Sequence, residues 1–583
     1  MMNTRQNSIE RSGWLVDRKF IEYLWPTLAM SASLFLASIV DSIMVGNLLG
    51  ANELAAINLT NSVVFIKNIV FSLFVYGGST LATGFIGKRD RKNAHKAFTW
   101  SIGVGVVVSA LMALLGSLFS KPLSYLLTGG GELYAPVLSY IVPCWISGPF
   151  IVFNSGMAAY VRADGQGKIA SALPIVSNLI NLSLDYVLMR FTSLGIAGAG
   201  WATVLGYILG SALLISYFRS PERSFHFTRI SLSESSLLWE LLATGLPSAL
   251  LQVCNLIRTF SINTILLHRV GTAGLQVVSV CISAYTVSLI FISGVGSTML
   301  PLSAALAGER DSEGLKFVLR RSLILSEGAA FLILILFELF PLEIGAIYGL
   351  KSIEAMDLLE SAFRLYSLCI PLVGIAFVFR SFWQATGQKA AASFFTALDG
   401  AIVTVPVFFV FSFISDTLMW LSFAIGELIS ILIMYLIMRL RAKIEGRENF
   451  LMLEPVDSGK SLDFSIDSKI ETAVEASSYG KDFCLENGVS EKNANVIALS
   501  LEELCVNIAK YAVNTKKIDV LIRITESEIL LRVRDNGNIF NPTEYVDDSG
   551  REITGLKLLQ SLKADLSYDR VIGFNETIVR VRP

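Results

Sequence analysis

The chain has 583 residues, of which 53% are hydrophobic and 16% are charged. Soluble domains carry roughly 25% charged residues, so this composition indicates a polytopic membrane protein and excludes a chain that is soluble throughout. The formal net charge is -1 and there is no basic tract, so nucleic acid is not an expected partner. The six cysteines form no Cys-x-x-Cys pair and no Cys/His cluster, which indicates reduced packing residues.

Apolar runs of about 20 residues, the length that crosses a bilayer, predict twelve membrane helices. Their centres lie near Ala37, Val70, Val107, Val142, Leu179, Leu205, Val253, Val287, Leu332, Leu372, Val405 and Ile429. Lysine and arginine concentrate in alternate loops, most clearly between Lys88 and Lys96. The positive-inside rule therefore predicts a multi-pass protein of the cell membrane with both termini in the cytoplasm.

The membrane region repeats itself at an interval of 221 or 222 residues. Each half contains six predicted helices, an even number, so the two repeats run in the same direction through the bilayer. We therefore predict an N-terminal lobe over residues 1–220 and a C-terminal lobe over residues 221–441. The matching pairs are Pro26 and Pro247, Gly50 and Gly271, Gly87 and Gly308, and Gly165 and Gly387.

Polar residues buried in the apolar segments of the first repeat predict a cation site. Asp41 lies in a long apolar segment, where a carboxylate costs at least about 3 kcal/mol. Asn181 and Asp185 are four residues apart and share one face of the fifth helix, and Thr203 in the sixth helix adds a candidate hydroxyl. Oxygen ligands in one repeat, with apolar residues at the matching places of the other, indicate a proton or sodium site. The matching residues for the first three are Ile262, Val403 and Val407.

Four other polar residues of the membrane segments permit more than one interpretation. Asp399 lies near a helix end, where it is either part of a site or a solvated interfacial cap. Arg258 either faces a central cavity or pairs with a carboxylate. Glu240 and Glu427 are flank or pathway residues that the sequence does not separate.

Several separated motifs between residues 15 and 440 resemble the multidrug and toxin extrusion family. They are Pro26 with Ile39-Val-Asp-Ser-Ile-Met-Val-Gly46, Leu49-Gly-Ala51, Leu54-Ala-Ala56, residues 162–165, Asn181 to Asp185, and Gly195 to Thr203. The resemblance implies two six-helix lobes around a V-shaped cavity and export of organic, often cationic, compounds against inward flow of sodium or protons. In the branch with a cation site in the N-terminal lobe, the implicated positions correspond to Asp41, Asn181, Asp185 and Thr203. The wider superfamily also contains flippases of lipid-linked oligosaccharides, which is an alternative.

The composition changes after Arg441, where a charged linker, residues 442–461, leads into a predicted cytosolic domain, residues 462–583. That length is typical of one domain. The pattern predicts helices at 468–487, 491–512 and 556–563 and strands at 518–524, 529–535 and 577–581. The predicted fold class is therefore an all-α polytopic membrane region followed by an α/β sandwich domain.

Three short motifs in this tail suit nucleotide chemistry. Glu503 and Asn507 share one helix face, where a carboxylate can position a nucleophile and an amide can bind Mg²⁺. Asp535 and Gly537 follow a strand, where the carboxylate can accept from an exocyclic amine and the glycine lets a flat ring approach. Gly555 precedes a predicted helix, whose first amides can hold phosphate. Each motif alone is weak, because a Glu/Asn pair is usually a surface feature and Asp-Asn-Gly is usually a turn.

In this order, and ending in the run from Gly573 to Thr577, the motifs resemble the ATP-binding fold of histidine kinases and anti-sigma-factor serine kinases. The resemblance implies Glu503 as general base, Asn507 as Mg²⁺ ligand, Asp535 and Gly537 in the adenine pocket, Gly555 in the phosphate lid and Thr577 near the base. The sequence departs from the family at Ile539 and Tyr511, where a glycine and a histidine are common.

We therefore predict a sodium- or proton-coupled antiporter that exports organic compounds, expected to be cationic, and carries a regulatory tail that binds ATP and Mg²⁺. ATP is not expected to drive transport, because the tail lacks a Gly-x-x-x-x-Gly-Lys-Ser/Thr phosphate loop. One alternative is a membrane-anchored serine kinase of the anti-sigma type, with the helices as sensor and a small cytosolic antagonist protein as partner. The lipid-linked oligosaccharide flippase is the other.

Overall fold

The computed structural model describes residues 11–87, 90–163, 167–219, 223, 225–229, 235–447, 449–453, 459–512, 515–538, 541, 565–571 and 574–582. They form a helical region between residues 14 and 444 and a C-terminal domain between residues 460 and 581. The predicted fold class, a helical membrane region followed by an α/β domain, is confirmed. Gly555 and the predicted helix 556–563 lie outside the described residues.

The described part of the membrane region contains nineteen α-helices, several of which continue into one another. They are α1 (Trp14–Leu48), α2 (Ala51–Phe71), α3 (Gly77–Gly87), α4 (Arg91–Phe98), α5 (Gly105–Leu118), α6 (Ser120–Thr128), α7 (Tyr134–Ala163), α8 (Gly167–Phe191), α9 (Ile196–Gly210), α10 (Leu214–Arg219), α11 (Ser235–Arg269), α12 (Thr272–Gly308), α13 (Ser312–Leu339), α14 (Pro341–Ile347), α15 (Ile353–Ser367), α16 (Cys369–Ala385), α17 (Lys389–Ala397), α18 (Thr404–Ile414) and α19 (Ser422–Ile444). Short π-helical stretches connect some of them, at Ser72–Tyr76, Thr99–Val104 and Leu398–Ile402. Such stretches are frequent near functional sites, and the last one carries Asp399.

Eleven helical segments of the described chain are long and apolar enough to cross a membrane. Each contains one predicted centre, from Val70 to Ile429. The remaining centre, Ala37, lies in α1, which has 35 residues and an apolar part at Ser38–Leu48. At 1.5 Å per residue α1 is about 50 Å long, which exceeds the roughly 30 Å hydrocarbon core of a bilayer. Helix α1 is therefore long enough to be the twelfth span.

The two repeats pack against each other along α1 and α12 and along α2 and α11. At the end of α1 that is distant from the N-terminus, Asn47 Nδ2 donates to the carbonyl of Ile347 at 2.7 Å. Next to the second pair, α11 approaches the π-helical stretch that follows α2, and a Cβ atom at Gly245 would lie 2.4 Å from the carbonyl oxygen of Leu73. Glycine is required at this position because a side chain would force the repeats apart.

The C-terminal domain is an antiparallel sheet with two helices packed on one face. Its strands are β1 (Lys460–Asp467), β2 (Lys517–Ile524), β3 (Ile529–Asp535), β4 (Asp565–Val571) and β5 (Phe574–Val581), paired in the order β1-β2-β3-β5-β4. The helices are α20 (Ile470–Glu486) and α21 (Glu491–Tyr511). Apolar residues of the sheet, including Phe464, Val520 and Leu531, form the core with these helices.

The observed elements of this domain lie close to the predicted ones, and two strands are additional. β1 begins at Lys460, within the stretch expected to be linker, and its alternation of Leu462, Phe464 and Ile466 suits a strand with one buried face. β4 pairs with β5 at the sheet edge. Its mixed polar sequence, Asp-Leu-Ser-Tyr-Asp-Arg-Val, lacks the alternation that would predict a strand.

Candidate functional site

Asp41 on α1 and Asp185 on α8 lie close enough for their charges to interact. Asp185 is 1% exposed, and neither of its carboxylate oxygens has a hydrogen-bond partner among the described residues. The Oδ1 atom of Asp41 is also buried and has no hydrogen-bond partner among the described residues. Two carboxylates whose charges interact in apolar surroundings repel each other, so the arrangement favours a bound proton or cation.

Helices α8 and α9 add an amide and a hydroxyl to the pair. Asn181, one turn before Asp185 on α8, donates from Nδ2 to Thr203 Oγ1 at 3.4 Å. The structure thus brings together all four residues predicted for cation coupling. Tyr140 on α7 is a further residue in the neighbourhood of both carboxylates. A lone tyrosine in an apolar helix carries no sequence signal for such a role.

The donor set of this cluster fits a coupling cation. Carboxylate, amide and hydroxyl oxygens are ligands of hard cations, and an unpartnered carboxylate oxygen also accepts a proton. In the second repeat, Ile262 and Val403 occupy matching positions and are buried apolar residues. The described residues therefore place this oxygen cluster in the first repeat without a counterpart at those two positions.

A cavity of about 360 Å³ lies between α2 and the helices of the second repeat. Its volume is within the range of small-molecule sites. The charged residues that line it are Arg258, Arg380, Asp399 and Glu427. The aromatic residues are Phe65, Tyr285, Tyr366, Phe377 and Phe423. The cavity therefore presents both signs of charge together with aromatic surface.

The structure gives the surroundings of the polar residues of the second repeat whose roles the sequence leaves open. Arg258 lines the cavity. Asp399 also lines it and is not a solvated cap, because its Oδ2 lies 3.4 Å from Arg380 Nη1 and its side chain is 14% exposed. Glu427 is buried in the cavity wall, with no partner for Oε2 among the described residues. Glu240 is exposed near the start of α11.

In the C-terminal domain, Glu503 and Asn507 lie one turn apart on α21. Asn507 Nδ2 donates to Glu503 Oε1 at 3.2 Å, and Asn507 is 4% exposed. The pair presents a carboxylate and an amide at one point of the helix, as phosphate-bound Mg²⁺ requires. Thr577 on β5 is buried and pairs with Val533 on β3.

Asp535 at the end of β3 is held by three donors. Its Oδ1 accepts from Gly537 N at 2.7 Å, Asn575 Nδ2 at 3.0 Å and Thr515 Oγ1 at 3.2 Å. Burial raises the pKa of Asp535, while these hydrogen bonds oppose the rise. All three bonds fall on Oδ1, so the carboxylate is fixed in one orientation. Thr515 and Asn575 are site residues that the sequence motifs do not single out, although Asn575 lies within the quoted run that ends at Thr577.

Two family profiles match the chain. The profile of the MatE family matches residues 26–187 and 247–410, together more than half of the chain. The profile of the histidine kinase-like ATPase domain matches residues 466–582, the segment that contains Glu503, Asn507 and Asp535.

Relatives and solved structures agree with the first profile. The multidrug export protein MepA of Staphylococcus aureus (strain bovine RF122 / ET3-1) is 24% identical over 408 residues, which cover 68% of this chain and 89% of MepA. MepA of Staphylococcus saprophyticus is 24% identical over 404 residues, covering 68% and 87%.

Two solved structures share the fold. One is the inward-facing conformation of a multidrug resistance MATE family transporter of the MOP superfamily, with a TM-score of 0.62 and 20% identity, covering 70% of this chain and 94% of that one. The other is a MOP superfamily transporter from Pyrococcus furiosus described as having reversed binding-pocket polarity, with a TM-score of 0.59 and 19% identity, covering 75% and 99%. Together with the profile matches, these findings show that the chain belongs to the MatE family of multidrug and toxin extrusion transporters and carries a histidine kinase-like ATPase domain at its C-terminal end.

Proposed function

We propose that this chain exports small organic compounds from the cell in exchange for sodium or protons. The buried, mutually repelling pair of Asp41 and Asp185, beside the Asn181 amide and the Thr203 hydroxyl, is the observation that carries the proposal. The matched relatives named as multidrug export proteins support the export of drug-like compounds.

Coupling follows from the energetics of the carboxylate pair. When both groups are ionised, their repulsion disfavours close packing of α1 and α8, and a proton or cation removes that repulsion. Ion loading therefore stabilises one arrangement of these helices over the other, which is the condition for a ligand to shift a conformational equilibrium. An organic substrate that prefers the opposite arrangement is exchanged for the ion.

The mixed-charge cavity is the proposed substrate site. Glu427 supplies a buried carboxylate for a cationic group, and Tyr366 and Phe423 add aromatic faces, whose rings lie 4.8 Å apart, suited to organic cations. Arg258 lines the same cavity and can in addition hold an anionic group of the same compound. The small volume favours compounds of drug size over the lipid-linked oligosaccharide of the flippase alternative.

We further propose that the C-terminal domain binds ATP and Mg²⁺ and regulates the transporter from the cytoplasm. Arg11 Nη1 lies 3.0 Å from Asp463 Oδ2. The described N-terminal segment and the C-terminal domain therefore lie on one side of the membrane region. The positive-inside rule, applied to the basic loops, favours the cytoplasm for that side. Asp535 would accept from adenine, and the Asn507–Glu503 pair would hold Mg²⁺. Bound ATP supplies a transferable phosphoryl group.

A serine kinase directed at a small antagonist protein is the second candidate function. The side chain of Glu503 is suited to accept the proton of a substrate hydroxyl, and its hydrogen bond to Asn507 positions it beside the proposed Mg²⁺ ligand. Transfer of labelled phosphate from ATP to a cytosolic antagonist protein, lost in Glu503→Ala, would support this function. Binding of ATP by the C-terminal domain without transfer of phosphate to the antagonist protein would exclude the kinase function.

Substitution of Asp41 tests the main proposal. In reconstituted vesicles, Asp41→Asn is expected to lower ion-driven export at least about 10-fold, because the neutral amide removes the charge that the ion must neutralise. Asp357→Asn is the matched control, since Asp357 is exposed on α15 and takes no part in the cluster. Undiminished ion-driven export by Asp41→Asn, at equal amounts of protein in the vesicles, rejects the coupling site.

A further inference from the structure

The C-terminal domain is seated on the membrane region through a buried ionic network, here called the ionic seam. The seam lies on the face of the sheet opposite α20 and α21, against the segment before α1 and the turn between α12 and α13. Its members are Arg11, Glu309, Asp311, Asp463, Asp519, Arg532, Arg534 and Glu576. It therefore joins the first repeat, the second repeat and the C-terminal domain.

Asp311 is the centre of the seam. Its two carboxylate oxygens accept from the Arg11 guanidinium at 2.5 and 2.7 Å, a paired geometry that is among the strongest for charged hydrogen bonds. Its Oδ2 also lies 3.1 Å from Arg534 Nη1. The same side chain begins α13, because Oδ1 accepts from Gly314 N at 2.8 Å. A change at Asp311 therefore reaches both the first helix and the second repeat.

The two arginines of β3 depend on carboxylates of the membrane region. Arg534 contacts Glu309 through Nη2 and lies 3.2 Å from Glu576 Oε1, and its side chain is 1% exposed. Arg532 lies 3.5 Å from Glu309 and 3.4 Å from Asp311. Breaking a buried ion pair by removing one partner is strongly destabilising, because it leaves the other charge buried and unpaired. The seated position of the sheet is thus held by specific pairs of charges.

The same two strand ends carry the seam and the proposed adenine pocket. Strands β3 and β5 pair Arg534 with Glu576 and Asp535 with Asn575. Arg534 and Glu576 belong to the seam, whereas Asn575 donates to Asp535 at 3.0 Å on the nucleotide side. Successive residues of a strand point to opposite faces, so a displacement of Asp535 or Asn575 also displaces Arg534 or Glu576.

We propose that the ionic seam is a nucleotide-sensitive clamp, in which ATP at the C-terminal domain changes the hold of Arg532 and Arg534 on Asp311. Such a change alters the spacing between the start of α1 and the α12–α13 turn, which belong to different repeats. This inference rests on the proposed binding of ATP. Transport by two repeats requires them to move relative to each other, so a clamp that spans both repeats sets the transport rate. ATP shifts the equilibrium between the clamped and the loosened arrangement of the seam, because it binds the two arrangements with unequal affinity.

The charge balance of the seam suits a clamp that releases. Among the described residues whose ion pairs define the seam, five carboxylates face three arginines, so this set carries more negative than positive charge. Burial raises the pKa of Asp463 to about 6, although Arg11 opposes the rise. When all its carboxylates are ionised, the seam therefore holds the C-terminal domain less strongly than a network with as many arginines as carboxylates would. A modest displacement of Arg534 is then enough to loosen it.

The test is transport by the full-length protein in vesicles, with and without a non-hydrolysable ATP analogue on the side of the C-terminal domain. In the wild type the analogue is expected to change the export rate at least about 5-fold, the lower end of ordinary allosteric coupling. Arg11→Gln removes the bridge to Asp311 without touching the nucleotide site, so its export rate is expected to be the same with and without the analogue. Arg580→Gln is the matched control, because Arg580 lies on β5, is 38% exposed and is 3.8 Å from its carboxylate neighbour. It should respond like the wild type.

Calorimetry with the same analogue separates the two levels of the proposal. Absence of binding to the wild type rejects nucleotide binding itself. Binding with an equal change of export rate in Arg11→Gln and the wild type, or with no change in the wild type, rejects the clamp alone. Arg11→Lys is the second variant, which retains the charge, loses the paired geometry and should show a smaller nucleotide response.

A cross-link reports the motion directly. The backbone nitrogen of Ser12 lies 3.0 Å from Ser465 Oγ across the seam, and the six native cysteines are buried. The double variant Ser12→Cys/Ser465→Cys is expected to form a disulfide under mild oxidation at a rate that changes at least about 5-fold with the ATP analogue. An unchanged rate, with the analogue bound, contradicts the clamp.

Discussion

Asp185 and Asp535 are both buried carboxylates, and their surroundings suit them to different tasks. The oxygens of Asp185 have no hydrogen-bond partner among the described residues, as expected of a group that exchanges a proton or cation. Asp535 accepts three hydrogen bonds on one oxygen, as expected of a fixed acceptor that is already ordered before its ligand arrives. The proposed adenine pocket and the proposed coupling site therefore differ in whether hydrogen bonds fix the orientation of the carboxylate, and not in how deeply it is buried.

At this scale we predict the effect of Asp535→Asn on nucleotide binding. The amide keeps the size of the side chain but loses the charged acceptor, and a hydrogen bond to a charged group contributes about 1.5–3 kcal/mol. The Kd for ATP should therefore rise about 10- to 100-fold, measured by calorimetry on the full-length protein. Asp569→Asn on the exposed edge strand β4 is the control and should bind normally. Wild-type affinity in Asp535→Asn would remove the residue from the adenine pocket.

The residues proposed for ion coupling stand out in the sequence because each is a costly polar group in an apolar helix. Asp41, Asn181 and Asp185 are conspicuous in apolar helices, and the internal repeat compares them with apolar residues. Arg532 and Arg534 give no such signal, because alternate arginines on a strand resemble a solvated face. Their burial depends on carboxylates more than 200 residues away in the sequence, which a local pattern does not reveal.

At the scale of elements, β3 shows how one strand serves two surfaces. Leu531 and Val533 pack in the helical core, while Arg532 and Arg534 face the membrane region. The predicted limits of this strand, residues 529–535, agree with the observed Ile529–Asp535. What the pattern leaves undetermined is the second buried face, because that face is covered by another part of the chain.

Asp463 on β1 gives the docked domain a predictable pH dependence. Its pKa in the folded protein is raised to about 6 by burial, above its usual 3.8, so the protonated form is favoured by folding and stability is lost as pH rises from about 4 to 6. Since one pKa unit is 1.36 kcal/mol, Asp463→Asn should be more stable at pH 7 by up to about 3 kcal/mol. Thermal unfolding in detergent from pH 4 to 8 measures this. The two proteins should converge at pH 4, and equal stability at pH 7 would contradict the assignment.

The close approach of α11 and the π-helical stretch after α2 gives a packing prediction. In Gly245→Ala the new Cβ would meet the carbonyl of Leu73, and overpacking of this kind costs about 1–3 kcal/mol. The variant should unfold at lower temperature and export more slowly. Gly328→Ala is the matched control, because a Cβ at Gly328 within α13 meets nothing within 4 Å. It should be neutral or slightly stabilising, and equal behaviour of the two variants would reject the close contact.

At the scale of the whole molecule, α1 connects the two functional regions. Arg11 of the ionic seam lies three residues before the first residue of α1, Trp14, and Asp41 of the proposed coupling site lies 27 residues further along, a distance of about 40 Å along the helix. One helix thus leads from the segment that carries the proposed nucleotide response to the residue that carries the proposed ion response. The family fold and the two-domain order can be predicted from the sequence, whereas the seating of the tail on α1 and α13 requires the structure.

The most direct test of the account is export by the wild-type protein in vesicles with separately imposed sodium and pH gradients, followed with a fluorescent organic cation. Accumulation of the dye should be driven by one of the two gradients, stop when that gradient is collapsed with an ionophore, and be lost in Asp41→Asn. Accumulation that continues unchanged without either gradient would contradict ion coupling at Asp41 and Asp185.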